Sequence, residues 1–167
     1  MTQSTGIRRD GHRPRLLDAF CCQGGAGMGY YRAGFEVTGV DVTAQPRYPL
    51  GFHQGDAIEF IRTFGASFDF VHASPPCQFD SDCQRIQGNT LPQPPHPAHT
   101  APQAKMGRPV PPGHYGQYVG NFSGVPLARQ VMDVPWMNRD GIRECIPPAY
   151  THWIAVKYLT HERRAVA

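Results

Sequence analysis

The chain has no run approaching the roughly 20 apolar residues that a membrane-spanning helix needs. It also lacks an apolar signal-peptide core, since Thr2 to Arg15 is polar and basic. A reducing cytoplasm is therefore the expected compartment. Charge is sparse: Asp, Glu, Lys and Arg make up 17%, and the formal net charge of +3 permits a polyanionic partner without demanding one. Cysteine pairing is missing too. Five cysteines, with Cys21 beside Cys22, do not form a disulfide framework, and Cys77 with Cys83 has no matching second pair for zinc. The histidines of "PPHPAHT" sit in a Pro-rich stretch that fixes no ligand geometry, so no metal site is expected. There is no internal repeat.

What is present suits one domain. With 167 residues, 40% of them hydrophobic, the chain can bury a substantial core, while 18 glycines and 17 prolines imply many turns. Basic residues gather in "IRRDGHRPR" and "HERR", which read either as solvated termini or as a phosphate-contacting arm. Residues 1–14 are accordingly set apart as a basic tail.

The first half alternates between strand and helix patterns. "RLLDAF" (Arg15 to Phe20) is a short apolar strand, "CCQGGAG" a glycine-rich turn, and "MGYYRAG" a helix stopped by Gly34. "FEVTGVDV" (Phe35 to Val42) is β-branched and strand-like. A short extended piece ends at "GDA". Helical spacing of Ile58, Phe60, Ile61 and Phe64 follows, and then the strand "SFDFVHAS". This order predicts an α/β fold with a doubly wound parallel sheet, its ligand at the carboxyl ends of the strands. The pattern fails after Gln87, and 91–116 reads as a Pro-rich loop. Helical signals return in "PLARQVMD", in "NRDGIRECI" with Asn138 as a cap, and in "PAYTHWIAVKYL".

The strand ends carry the chemistry. Gly24, Gly25, Gly27 and Gly29 between a strand and a helix let a ligand approach the backbone, although close helix–strand packing explains them equally well. Asp41, ending the second strand, is suited to both hydroxyls of a ribose, and Asp56 after the third to an adenine amino group. An adenosine cofactor follows, with NAD and S-adenosylmethionine still unseparated. The fourth strand runs into "SPPC". A cysteine beside a methyl donor suits addition to C6 of cytosine, which makes C5 nucleophilic. The competing reading of Cys77 is a buried structural thiol.

"LLDAFCCQGGAGMGYYRAGFEVTGVDV", "GDA" and "ASPPCQ" together resemble the motifs of DNA (cytosine-5) methyltransferases of compact bacterial or phage type. The resemblance implies a Rossmann-like S-adenosylmethionine-dependent methyltransferase fold, with S-adenosylmethionine as cofactor and double-stranded DNA as partner. It implies that Phe20 packs on the adenine, that the Gly24 region approaches the methionine moiety, and that Cys77 attacks the base. Asp41 then binds ribose and Asp56 the adenine amino group, while Cys22, Gly25, Val42, Ala57 and Pro75 complete the cofactor site. Residues 15–90 would be the cofactor and nucleophile half. Residues 117–167 would be a helical segment closing the pocket, with its edge near Ile146 to Tyr150.

The chain departs from that family in two places. Cys22 stands where the first glycine of the turn belongs. None of the four glutamates, Glu36, Glu59, Glu144 and Glu162, lies in a Glu-Asn-Val segment, whose glutamate contacts cytosine N3. "QRIQGNT" passes straight to "LPQPPHPAHT", so Thr90–Leu91 reads as a join across lost sequence, with the sheet incomplete in its second half. A catalytically impaired remnant that keeps cofactor or DNA binding is the alternative reading.

Overall fold

A computed structural model describes residues 12–74 and 122–165. Pro75, Cys77, the Thr90–Leu91 join, the 91–116 loop and most of the 1–14 tail lie outside the described residues. Ten regular elements are described. Strand β1 (Arg15–Ala19) leads into helix α1 (Gly25–Ala33) and strand β2 (Glu36–Asp41). Strand β3 (Gly51–Gln54), helix α2 (Ala57–Phe64), a 3-10 turn (Gly65–Ser67) and strand β4 (Phe70–Ala73) follow. Beyond the undescribed stretch come α3 (Val125–Met132), α4 (Arg139–Arg143) and α5 (Pro148–Ala165).

The sheet is parallel throughout, in the order β3-β2-β1-β4. β1 pairs on both sides, Leu16 opposite Val37 and Phe70, so Leu16 to Ala19 are fully buried. Successive side chains of β1 point to opposite faces. Leu16 joins Tyr30, Ala33, Phe35, Val37 and Ala155 under α1 and α5. Leu17 and Ala19 join Val40 and Ala57 under α2. Helices therefore cover both faces, as a doubly wound arrangement requires. Burying Phe35 alone contributes roughly 2–3 kcal/mol. A second cluster of Phe122, Ala128, Val134, Met137 and Ile142 holds α3 and α4 together.

The element order follows the sequence expectation, and α1 shows the main difference in boundaries. It begins at Gly25 rather than Met28, because Gly24 at φ 83° turns the chain and the Asp18 carboxylate accepts the Gly27 N–H. Gly34 ends it at φ 109°, as expected. Asp56 caps α2 by accepting from the Glu59 nitrogen at 2.9 Å, and Asn138 caps α4 by accepting from Gly141. Among the described residues β4 pairs only with β1, and Val71 on it is 40% exposed. No helix among the described residues is long and apolar enough to cross a membrane.

Candidate functional site

In a sheet ordered β3-β2-β1-β4, the direction of winding reverses between β1 and β4. A crevice forms at such a reversal, outside the carboxyl ends of the strands. The backbone gathers there. Cys21 N–H donates to Val40 O at 3.2 Å, Gly55 N–H to Asp41 O at 2.9 Å, and Ser74 N–H to Ala19 O at 3.3 Å. The ends of all four strands are thus tied to one edge.

Asp41 sits at the centre of this edge. Its Oδ2 accepts from the Cys22 nitrogen at 3.0 Å and its Oδ1 from the Thr43 nitrogen at 2.9 Å. Two backbone donors fix the carboxylate, and each oxygen retains a lone pair for a further donor. Val42 beside it is an apolar side chain 71% exposed. Phe20 packs at the margin of the α2-side core, against the group containing Ala57. Phe20 (φ 59°) and Cys22 (φ 45°) both adopt left-handed backbone, a strained conformation for residues with side chains. Asp56 uses Oδ1 for the α2 cap. The fold therefore brings Phe20, Cys22, Asp41, Val42, Asp56 and Ala57 to one edge, although Ala57 turns its methyl into the core.

The glycines have a packing reason. A Cβ on Gly24 would meet the Tyr48 ring at 2.8 Å, and one on Gly25 would strike Cys145 Sγ and Ile146 O. One on Gly29 would strike Thr151 Oγ1 and Pro148 O. The 145–151 segment thus lies against the start of α1, close to the edge expected for Ile146 to Tyr150. Gln23 clamps the same region: its Oε1 accepts from the Asn138 nitrogen at 3.1 Å, and its Nε2 donates to Asn138 Oδ1 at 2.8 Å. Gln23 O also accepts from Trp136 Nε1 at 2.7 Å. Cys22 Sγ turns towards Glu144 Oε2 at 3.5 Å.

A buried polar row beneath α1 escaped the sequence reading. Asp18 lies opposite Gly39 on β2 and His72 on β4. Asp18 Oδ2 accepts from Gly27 N–H at 3.0 Å and from the Tyr48 hydroxyl at 3.2 Å, while Tyr30 Oη meets His72 Nδ1 at 3.2 Å. Asp18 Oδ1 and His72 Nε2 are buried without a hydrogen-bond partner. Burial pushes the Asp18 carboxyl up to about 7, opposed by its bonds to Tyr48 and Gly27, and Asp41 adds a further upward push. Burial also lowers the His72 imidazole. A charged residue inside the apolar "RLLDAF" was the available signal.

Three thiols are held neutral. Burial, with smaller contributions from neighbouring carboxylates, raises Cys22 to about 11 and Cys145 to about 12, and pushes Cys21 higher still. None is a ready thiolate near neutral pH. Among the described residues no group of three or more His, Cys, Asp or Glu side chains is arranged to hold a metal ion. Comparison of the chain with family models, curated proteins and solved structures found no match in any of the three.

Proposed function

We propose that this chain transfers a methyl group from S-adenosylmethionine to C5 of cytosine in DNA, with Cys77 as nucleophile. The observation that carries the reading is the Ser74 N–H to Ala19 O bond. It ties Ser74, the last described residue before "PPC", to the carboxyl end of β1 next to Phe20. The donor set there fits an adenosine. Asp41 offers oriented carboxylate oxygens for two ribose hydroxyls, Asp56 an acceptor for an amino group, and Val42 and Phe20 apolar faces for the ring.

Bound S-adenosylmethionine would supply an electrophilic methyl group on sulfonium. The chain's own residues do the rest. Asp41 and Asp56 orient the nucleoside half, and the segment around Cys22 and Gly25 faces the amino-acid half. Cys77, as thiolate, adds to C6 of a flipped cytosine and makes C5 nucleophilic. Its later elimination, with loss of the C5 proton, restores the base. The raised Cys21, Cys22 and Cys145 thiols support this assignment by removing three of the five cysteines as competitors.

A second reading, a remnant that binds cofactor or DNA without turnover, is favoured by the lack of a Glu-Asn-Val segment. Loss of general-acid help at N3 costs roughly two to four orders of magnitude. Transfer of labelled methyl groups to cytosine-containing DNA separates the two readings. Incorporation that disappears in Cys77→Ser supports the enzyme. Cofactor binding without incorporation supports the remnant.

A further inference from the structure

Helix α5 has two contrasting sides. Pro148, Thr151, Ala155, Tyr158 and Leu159 form its inward stripe, with Thr151 Oγ1 donating to Ala26 O at 2.8 Å. Directly opposite, at helical spacing, stand Tyr150, Trp153 and Lys157. Tyr150 is 66% and Trp153 62% exposed, and Lys157 Nζ lies over the Trp153 ring, 5.5 Å from its centroid. Tryptophan and tyrosine side by side on a surface offer large apolar faces with a polar handle, the side chains enriched where a partner binds. The first turn of α5 packs on Ala26 and Gly29 of α1.

We propose that this outward face of α5 binds an unpaired nucleic-acid strand, with bases stacking on Trp153 and Tyr150 and Lys157 against a phosphate. Three observations select that occupant. The two rings are separated by one helical turn, the spacing of neighbouring side chains on a helix surface. The cation is already seated at the tryptophan. Between Pro148 and His161 the helix carries Lys157 and no Asp or Glu, a charge complementary to phosphate. A lipid surface fits less well. Such helices need a wide aliphatic face, and here Ile154 and Val156 flank the aromatic centre on opposite sides. The partner class is that of the proposed function, but strand binding needs neither Cys77 nor the cofactor.

The test is fluorescence anisotropy of a labelled oligothymidylate of about a dozen nucleotides, titrated with the full chain in the absence of cofactor. Trp153→Ala is expected to weaken binding at least about five-fold. Lys157→Glu should weaken it and flatten its dependence on salt. Trp153→Phe, which keeps a stacking ring, should recover most of the loss. Thermal melting of each variant checks that it is folded. Affinities unchanged by Trp153→Ala and Lys157→Glu overturn the proposal, as does binding to phosphatidylglycerol vesicles without binding to the oligonucleotide. Cofactor titrations on the same variants separate this outcome from failure of the methyl-transfer reading, which Cys77→Ser probes.

Discussion

The carboxylate of Asp18 accepts the Gly27 N–H at 3.0 Å, joining the centre of β1 to the first turn of α1. This contact brings α1 down onto the sheet and fixes the turn from Phe20 to Gly24. Its energetics depend on pH. The folded carboxyl titrates near 7 rather than at the ordinary 3.8, so between these values the folded chain holds a proton that the unfolded chain has released. Stability is thus full at acid pH and falls as pH rises from about 4 to about 7, by on the order of a few kcal/mol. Urea midpoints across that range should decline in the wild type. In Asp18→Asn this contribution to the slope should vanish, at some cost in overall stability.

Asp41 orients the turn through Cys22 and, in the proposed function, receives the ribose. Asp41→Ala removes the acceptor for two backbone donors and should lower stability by about 1–3 kcal/mol. Calorimetric titration with S-adenosylhomocysteine should show at least a ten-fold loss of affinity. Asp41→Asn keeps acceptor capacity on one oxygen and should fall between the two.

Gln23 and Asn138 act as one unit, since each makes a hydrogen bond to the other's polar atoms. A double-mutant cycle with Gln23→Ala and Asn138→Ala should give a coupling energy of roughly 0.5–3 kcal/mol. Gly25→Ala attacks the same junction by steric means. It forces a methyl against Cys145 and Ile146 O, and it should cost about 1–3 kcal/mol in denaturant melts.

Thiol reactivity should separate the cysteines. Cys22 and Cys145, raised to about 11 and about 12, should react slowly with iodoacetamide at neutral pH and faster in strong alkali. Cys77, as the proposed nucleophile, should be alkylated first. Mass mapping of partially modified protein gives the order directly.

Local rules made much of the fold legible. The apolar run of "RLLDAF", the β-branched residues before Asp41 and the Asn138 cap each act over a few residues. The start of α1 was not legible, because glycine is a poor helix former and only the distant Asp18 shows why Gly25 is helical. The buried row of Asp18, Tyr48 and His72 joins residues far apart in sequence. The Gln23–Asn138 clamp spans 115 positions. Such contacts follow from strand order and packing, which no short window encodes. For the candidate site, the strand-end positions of Asp41 and Asp56 were visible in the sequence. Packing was one of two readings of the glycines there, but their partners Tyr48, Cys145 and Thr151 were not visible.

The most direct test of the account uses DNA in which 5-fluorocytosine replaces cytosine. Fluorine at C5 blocks the final proton loss, so a thiol that has added to C6 stays attached. With S-adenosylmethionine present, the account predicts a protein–DNA adduct stable to denaturation, mapped to Cys77 and absent from Cys77→Ser. Cofactor binding without any adduct, or an adduct that persists in Cys77→Ser, would contradict it.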